Sequence, residues 1–524
     1  MMAHRLANVA LTRGMTAALI ASLASPPLAA QAKPNDGADM ARKAAPAIVS
    51  VNAKTLPRLA EVDPRFQSFN VEMVEVTGGR FWAPYGGPPG ELYRQRPPID
   101  LASKRLRNLT KPLSPAYMRV SGTWANSTYL QGPGEALPKS PPTGFNQVLS
   151  RDQWRGVVSF ARDLDLKIIT SFAVSADTRG ADGVWQGEQA KRLFATTAEF
   201  GGSIAAAEFI NEPSLAAIGA LPAGYNAQNY VRDFAVFRAV AKAGAPDMKI
   251  LGPGSTGESG DFLPIPLVPS ADMMKGTTGS VDAVSYHFYG ATSQRCAPFG
   301  GPQTSPDKAL SEDWLALTER ELAYYADLRD RFEPGKSMWL TETAQAACGG
   351  SPWASAFRDS FRYVDQLGRL ARRGVKIVAH NTLAASDYGL IDGDTLEPRP
   401  NYWAALLWHR TMGTIVLDAP PSAPGVRLYA HCQRGSPRGV ALAAINLSNE
   451  SRQLQTGAKA SAYVLTSSDL DAKKVSINGI LASVSASGIP SAIKPKRFTS
   501  KLDLPPHSIT FVTLSGVANT ACTS

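Results

Sequence analysis

The sequence predicts an α/β protein, a (β/α)8 TIM barrel with a C-terminal β-sandwich domain, and three observations support this. Short apolar runs alternate with amphipathic helical stretches from residue 66 to residue 380. Several of these runs are continuously hydrophobic, which is typical of strands buried on both faces of a parallel sheet. Beyond residue 414 the pattern changes to brief alternating strands. A doubly wound open sheet is the alternative, but the sequence has no Gly-x-Gly-x-x-Gly phosphate loop to support it.

The barrel strands and two of the helices between them can be assigned from the apolar pattern. Eight strands are expected at residues 66–76, 116–122, 167–173, 205–211, 248–253, 281–287, 337–342 and 376–382. One helix is expected over 226–243, with Asn226 as N-cap and Gly244 as its stop. Another is expected over 355–373, with Ser355 as its cap. Eight such strand and helix units match a barrel with some long loops.

The remaining segments predict how the chain is divided. Residues 1–32 are typical of a secretory signal, because two arginines precede an apolar run and a small-residue exit. We expect residues 33–63 to form an N-terminal segment, 64–413 the barrel and 414–524 the sandwich. Sandwich strands are expected at 426–432, 440–447, 460–466, 474–477 and 508–514, and the run 47–51 can add another.

Charge and cysteine content narrow the function classes. The formal net charge is +10, but the basic residues form no stripe with interleaved aromatics, so we expect no nucleic-acid partner. No membrane anchor is expected, and the mature protein should be exported, periplasmic or secreted, and monomeric. The four cysteines allow three disulfide pairings, and none has metal-type spacing. We predict Cys296–Cys348 and Cys432–Cys522, because each pair stays within one domain; free buried thiols are the alternative.

Two glutamates carry the candidate chemistry. Glu212, in Asn211-Glu212-Pro213, follows the fourth predicted strand, and Glu342 ends the seventh. Reactive groups of a barrel gather at the C-terminal ends of its strands, so these two side chains should converge over its mouth. Cleaving a sugar acetal with retained configuration needs one carboxyl to protonate the leaving oxygen and another, roughly 5 Å away, to attack the anomeric carbon. Tyr289, at the end of the sixth strand, could donate to Glu342.

Together these residues resemble glycoside hydrolase family 79, the heparanase and β-glucuronidase family. The stretches that carry the resemblance are 115–123, 209–214, 287–289, 339–350, 387–392 and 400–403. The Asn-Glu-Pro stretch is shared by a larger clan of barrel glycosidases, whereas the region from the seventh strand onwards is specific to the family. The similarity spans nearly the whole mature chain.

The resemblance implies a role for each matching position. Glu212 corresponds to the acid/base and Glu342 to the nucleophile, while Asn211 would bind the 2-hydroxyl of the reacting sugar. Tyr289 would orient Glu342, and His287, at the end of the same strand, is a further substrate-binding candidate. No metal or cofactor is implied.

The resemblance also implies how the substrate is selected. The backbone N–H groups of Gly349 and Gly350 would receive a uronate carboxylate, and Tyr388 would face the same group. Glu72 would bind sugar hydroxyls. The chain departs from the family at 347–348, where Ala-Cys stands in place of a tyrosine.

We therefore expect a retaining β-glucuronidase acting on glucuronic-acid-containing oligo- or polysaccharides or on glucuronide conjugates. An endo-acting heparanase-like enzyme is the nearest alternative, since exo or endo action depends on whether a loop closes the cleft. The Gly- and Pro-rich stretch 131–143 is a candidate for such a wall. A non-catalytic uronate-glycan binding protein is a further alternative.

Overall fold

The computed structural model describes residues 48–523, except residues 89, 261–264 and 422. The predicted signal segment, residues 1–32, lies outside the described residues. Within the described residues, no helix is long and apolar enough to cross a lipid bilayer.

Eight parallel strands close into a barrel, in which each strand pairs with the next along the chain and the eighth pairs with the first. The barrel strands, numbered one to eight in chain order, are Gln67–Glu72, Ala116–Ser121, Leu166–Thr170, Ile204–Glu208, Lys249–Ser255, Ala283–Tyr289, Ser337–Ala344 and Ile377–His380. The predicted (β/α)8 fold is confirmed.

Helices pack around the barrel and connect its strands. The α-helices are Met73–Thr77, Lys104–Thr110, Arg151–Asp163, Glu188–Glu199, Ala227–Gly244, Ser270–Gly276, Glu312–Leu315, Leu317–Phe332, Phe357–Arg372 and Pro400–Thr411. Asn226 is an N-cap as predicted, because its side chain accepts hydrogen bonds from Gln228 and Asn229 N–H at 3.0 and 3.1 Å. The predicted cap Ser355 is wrong, since the later helix begins at Phe357 and Ala356 is its N-cap.

Strand bounds differ from the prediction at two places that matter for function. Strand one ends at Glu72 rather than running to residue 76, because the next residues turn into a short helix. The Glu75 carboxylate accepts the Glu72 N–H at 2.9 Å and so caps that helix. Strand four ends at Glu208, which leaves Asn211 and Glu212 in the loop that follows it.

The barrel interior is layered, and the layers follow from the two-residue period of a strand. The lower layer is apolar and consists of Tyr117, Ile169, Ala206, Leu251, Ala283, Trp339 and Ile377. Two residues further along three of these strands stand Arg119, Glu208 and Thr341, all buried. A polar layer therefore lies inside the barrel, between its apolar floor and its C-terminal mouth.

The β-sandwich consists of two sheets with an apolar core between them. The larger sheet contains Arg58–Glu61, Met412–Leu417, Val426–Gln433, Val440–Asn446, Ser508–Leu514, Ala460–Thr466, Ser476–Ile477, Ile480–Leu481 and Lys496–Phe498. The smaller sheet contains Ile48–Ser50, Arg452–Gln455 and Lys501–Leu504. Two segments that precede the barrel in sequence thus pair with strands that follow it. The domain bounds at residues 64 and 414 remain predictions.

Two disulfides join the cysteines in the predicted pairs. Cys432–Cys522 closes a 90-residue separation within the sandwich. Cys296–Cys348 connects the loops that follow strands six and seven, at the mouth of the barrel. Among the described residues there is no free cysteine.

Candidate active site

The barrel mouth brings the two predicted catalytic glutamates together. Glu342 lies in strand seven and pairs in register with His287 of strand six. Glu212 approaches from the loop after strand four, and its Oε1 lies 3.1 Å from His287 Nδ1. One carboxylate oxygen each of Glu212 and Glu342 and one ring nitrogen of His287 all lie within 4.8 Å of one another. The two carboxyls are therefore close enough to act on the carbon and the oxygen of one glycosidic bond.

A strained loop holds Glu212 in this position. Its backbone has φ 50°, in the left-handed region that non-glycine residues rarely adopt. The Glu212 N–H donates to Gly254 O at 3.1 Å. The preceding residue is held on both sides, since Asn126 accepts the Asn211 N–H at 3.1 Å and donates to the Asn211 carbonyl at 3.0 Å. Asn126 therefore fixes the loop that presents both predicted residues.

Arg119, inside the barrel, organises the polar layer beneath the glutamates. Its guanidinium donates to Glu208 Oε2 at 2.8 Å and to Glu342 Oε2 at 2.6 Å. It also donates to Asn211 Oδ1 at 2.7 Å. Because arginine can only donate, this contact orients the Asn211 amide, and its Nδ2 is left as a buried donor without a partner among the described residues. That donor is free for a substrate hydroxyl.

A second set of hydrogen bonds reaches Glu342 from the other side. The Tyr289 hydroxyl donates to Glu342 Oε1 at 2.7 Å, as the sequence suggested. Asn381 Nδ2 lies 2.9 Å from the Tyr289 hydroxyl, 2.9 Å from Glu72 Oε1 and 3.1 Å from the Tyr388 hydroxyl. Asn381 thus joins three of the predicted site residues. With Arg119 on one oxygen and Tyr289 on the other, the negative charge of Glu342 is stabilised at both of its oxygens.

The environment separates the acid–base properties of these groups. Burial raises the pKa of Glu212, and the nearby Glu342 charge raises it further, against the hydrogen bond from His287, which lowers it. Burial lowers the pKa of His287, but the charges of Glu342 and Glu208 outweigh it and raise that pKa to about 9. Burial and the Glu342 charge raise the pKa of Glu72 well above its usual range. Glu212 is therefore biased toward the protonated form that a general acid needs.

The two glycines after strand seven differ in how their N–H groups are used. Both glycines have positive φ, 84° for Gly349 and 86° for Gly350, which favours glycine. The Gly350 N–H donates to Ala346 O at 3.2 Å within the loop, and its contact with a substrate stays a prediction. For the Gly349 N–H, no acceptor is found among the described residues. Tyr388 packs beside this loop with Tyr289, Ala344 and Ala354.

The same three groups could in principle hold a metal ion, since Glu212, His287 and Glu342 each offer a ligand atom. Both Glu342 oxygens, however, already accept hydrogen bonds, from Arg119 and Tyr289. A cation would also meet the buried guanidinium of Arg119. The donor set therefore fits an acid–base pair better than a metal ligand set.

An open cleft of about 510 Å³ lies beside this site, over strands five and six. Its lining includes Thr256, Phe288, Tyr289, Trp314, Arg320 and Glu321. Gly290 is required for this arrangement, because a Cβ on it would lie 2.8 Å from the tip of the Trp314 indole. Tyr289 borders both the cleft and Glu342. The cleft thus offers an aromatic wall next to the reacting groups.

Several site residues were not identified from the sequence. Arg119 lies within a stretch that carries the family resemblance, but nothing local distinguishes a buried arginine from one on a solvated strand face. One signal was available, because Arg119 and Glu208 interrupt otherwise apolar strands at the positions where an inward side chain is expected. Asn126 lies in the 3-10 turn Thr123–Ser127 and Asn381 in a loop, and neither carries such a signal.

Comparison with known proteins finds relatives among heparanases and a β-glucuronidase. No protein-family model matches the chain. The chain is 26% identical to heparanase from Bos taurus over 526 aligned positions, which cover 88% of this chain and 90% of that protein. It is 37% identical to heparanase-like protein 1 from Arabidopsis thaliana, but that match spans 33% of this chain and 31% of the plant protein. It is also 33% identical to baicalin-beta-D-glucuronidase from Scutellaria baicalensis over 34% of this chain and 36% of that protein.

The predicted resemblance to glycoside hydrolase family 79, the heparanase and β-glucuronidase family, is confirmed by these matches. The protein is a glycosidase.

Solved structures share the fold of this glycosidase. The crystal structure of a 4-O-alpha-L-rhamnosyl-beta-D-glucuronidase from Fusarium oxysporum superposes with a TM-score of 0.62 at 14% identity, covering 89% of this chain and 100% of that chain. An arabinofuranosidase superposes with a TM-score of 0.58 at 13% identity, covering 89% and 99% of the two chains. At such identities the likeness concerns the fold alone.

Proposed function

We propose that this glycosidase is a retaining β-glucuronidase that hydrolyses β-linked glucuronic acid from glycans or from glucuronide conjugates. The observation that carries the proposal is the distance between the two glutamates, since an oxygen of Glu212 lies within 4.8 Å of an oxygen of Glu342. Retaining glycosidases hold their carboxyl groups about 5–5.5 Å apart, whereas inverting enzymes need about 6.5–9.5 Å to admit a water molecule. The spacing supports retention.

In the first half of the reaction, Glu342 attacks the anomeric carbon and forms a glycosyl ester. The glycosidic bond breaks at the same time, and the protonated Glu212 gives its proton to the leaving oxygen. The raised pKa of Glu212 favours this proton-bearing form. As positive charge develops at the anomeric carbon, the 2-hydroxyl of the sugar is held by the free amide donor of Asn211.

In the second half, Glu212 is a carboxylate and accepts a proton from water. The water oxygen attacks the anomeric carbon, the ester bond to Glu342 breaks, and glucuronic acid leaves in the β configuration. When the ester breaks, the negative charge returns to the Glu342 carboxylate. Arg119 and Tyr289 stabilise it there through hydrogen bonds of 2.6 and 2.7 Å. The two donors stay in place throughout, because both side chains are buried.

The substrate assignment has two supports. One is the name of a relative, baicalin-beta-D-glucuronidase, which matches this chain over about a third of its length. The other is the N–H of Gly349, which has no acceptor among the described residues and offers a hydrogen-bond donor to an anion on the reacting sugar. Glu72, whose raised pKa favours its neutral form, can both donate to and accept from sugar hydroxyls.

Endo-action of the heparanase type remains the second candidate function, and the relatives named heparanase support it. The cleft lined by Trp314 and Phe288 offers room for the leaving group in either case. Exo-action releases monosaccharides from heparan sulfate, and endo-action releases shortened chains. The two disulfides support export to an oxidising compartment.

Turnover of 4-nitrophenyl β-glucuronide tests the proposal directly. We expect release of nitrophenol and, by NMR during the first minutes, of the β anomer of glucuronic acid. The matched glycosides of glucose, xylose and arabinose serve as controls. An α anomer as first product, or hydrolysis of a control glycoside but not of the glucuronide, would contradict the proposal.

A further inference from the structure

Arg295 is a buried cation at the barrel mouth that has no part in the proposed reaction steps. It lies in the turn Gln294–Phe299 after strand six, one residue before the disulfide cysteine Cys296. Its side chain is only 6% exposed. A buried arginine needs partners for its charge and for its five N–H groups, and those partners define what it does.

The hydrogen-bond and ion-pair partners of the Arg295 side chain lie in three other loops. Its guanidinium donates to Ala83 O in the loop after strand one, and to Gly350 O after strand seven at 3.4 Å. It forms an ion pair with Asp387, in the loop after strand eight. The ring of Tyr85 lies against its flat face, 4.1 Å from the guanidinium carbon. Arg295 therefore joins four loops at the barrel mouth.

The guanidinium also lies against the glycine that is expected to receive the substrate anion. A Cβ on Gly349 would lie 2.9 Å from Arg295 Nη1, so the arginine packs directly on the Gly349 backbone. The Gly349 N–H has no acceptor among the described residues. A carboxylate bound to that N–H would consequently sit within a few ångströms of a fixed positive charge.

One N–H group of Arg295 lacks an acceptor among the described residues. Its Nε is buried and has no hydrogen-bond partner within the described part of the chain. Burying an unpaired donor is unfavourable, and such groups in native proteins call for an explanation such as a ligand. Carboxylates are the ligands that match the fork of an arginine best.

We propose that Arg295 is the specificity-determining residue that selects a negatively charged sugar, its guanidinium acting with the Gly349 N–H on the carboxylate of the uronic acid. The inference rests on the proposed β-glucuronidase function and deepens it. It also accounts for the departure at 347–348. There the chain carries the disulfide cysteine Cys348, and the bridge to Cys296 fixes Arg295 beside the glycine loop.

A variant of Asp387 can distinguish a substrate-binding role of Arg295 from a purely structural role in which Arg295 only holds the loops together. As a counter-ion it offsets part of the positive charge that a substrate carboxylate would feel. Asp387→Asn keeps the shape and removes the charge. If Arg295 binds the substrate carboxylate, the variant binds the anionic sugar at least as tightly as the wild type. If Arg295 only holds the loops together through its ion pair with Asp387, the variant binds the sugar more weakly.

The experiment compares KM and kcat for 4-nitrophenyl β-glucuronide and 4-nitrophenyl β-glucoside in the wild type, Arg295→Gln, Arg295→Lys and Asp387→Asn. For Arg295→Gln we expect the glucuronide KM to rise roughly 10- to 100-fold, with the glucoside KM changed less than about threefold. Arg295→Lys should keep part of the preference, because it keeps the charge but not the fork. Asp387→Asn should lower the glucuronide KM or leave it unchanged.

A matched control is Arg362→Gln, because Arg362 is 7% exposed and pairs with the buried Asp359 on a helix outside the barrel. It should change neither KM. A parallel readout is inhibition by free glucuronic acid against free glucose, which should weaken in Arg295→Gln for the acid only. Thermal melting identifies any variant that fails to fold, and Asp387→Asn then decides the question.

The outcomes separate the two proposals. A wild type that cleaves the glucuronide while Arg295→Gln loses equal activity on both substrates would overturn the role of Arg295 alone. A glucuronide KM that rises in Asp387→Asn as it does in Arg295→Gln would overturn it as well. A wild type that leaves the glucuronide intact would overturn the β-glucuronidase function and this inference together.

Discussion

The carboxyl group of Glu72 occupies the space that a side chain on Gly122 would fill. A Cβ on Gly122 would lie 1.5 Å from Glu72 Oε2, far inside any van der Waals contact. The Gly122 backbone also has φ 92°. Glycine after strand two is therefore what allows a carboxyl at the end of strand one to reach the pocket.

Gly122→Ala should displace Glu72 and lower kcat/KM for a β-glucuronide roughly 10- to 100-fold, since a hydrogen bond to the sugar is lost. Gly183→Ala is the matched control, because its φ of 74° carries a similar backbone penalty but its Cβ meets nothing within 4 Å. Steady-state kinetics and thermal melting of both variants check this. Equal losses in the two variants would show that strain, not the displaced Glu72, is responsible.

Glu342→Ala and Glu212→Ala should each reduce turnover of a natural glucuronide by about 10⁴-fold or more. Azide should rescue them with opposite stereochemistry. In Glu212→Ala it attacks the glycosyl ester and gives a β-glucuronyl azide, whereas in Glu342→Ala it replaces the nucleophile and gives the α product. NMR of the azide products is the measurement. The same anomer from both variants would contradict the assigned roles.

His287→Gln should move the alkaline limb of the pH profile to higher pH. Glu212 acts as a general acid in its protonated form, so activity falls as pH rises through its pKa in the folded enzyme. The hydrogen bond and charge of His287 lower that pKa, against burial, which raises it. Removing the imidazole therefore raises the Glu212 pKa, and kcat/KM measured against pH should stay high further into the alkaline range. A limb that moves to lower pH would contradict this sign.

Arg119→Met should cost about 3–5 kcal/mol of unfolding free energy, because it leaves the buried Glu208 carboxylate without its cation. Adding Glu208→Gln should recover part of that loss, since a neutral amide is cheaper to bury. Urea denaturation followed by circular dichroism measures both. Arg58→Met is the control, because its pair with Glu61 is 51% exposed on each side and is worth at most about 1 kcal/mol. A double variant no more stable than Arg119→Met would argue against a charge effect.

The two disulfides should differ in what their loss does. Replacing either pair with serines should lower stability by about 2–5 kcal/mol. Only Cys296→Ser with Cys348→Ser should also raise the glucuronide KM, because that bridge lies beside Gly349 and Arg295, whereas Cys432–Cys522 lies in the sandwich. Kinetics of the two double variants at a temperature where both are folded make the comparison.

Much of the fold could be predicted because its signals are local. A strand buried on both faces reads as a continuous apolar run, and all eight barrel strands were located in this way. Strand ends were predicted less well. Strand one ends at Glu72 because Glu75 caps the helix that follows. This cap is a hydrogen bond from the Glu72 backbone N–H to the Glu75 side chain, which an apolar pattern does not reveal.

The candidate site divides in the same way. Glu212 and Glu342 were found because the apolar pattern places each near the C-terminal end of a predicted strand, which is where a barrel places its reactive groups. In the structure Glu212 lies in the loop after strand four, and strand seven continues two residues beyond Glu342. The Gly350 N–H was assigned to the substrate from a short motif. In the folded loop it also donates to Ala346 O, a contact that the motif does not reveal.

The sequence alone determined the barrel, the sandwich, the disulfide candidates and the two glutamates, since all of these follow from local periodicity and composition. Tertiary structure decided what surrounds the glutamates. Arg119 meets Glu342 across 223 positions of sequence, and Asn381 meets Glu72 across 309. Contacts of that separation arise only when the barrel closes and its polar layer must satisfy every buried charge and hydrogen bond internally.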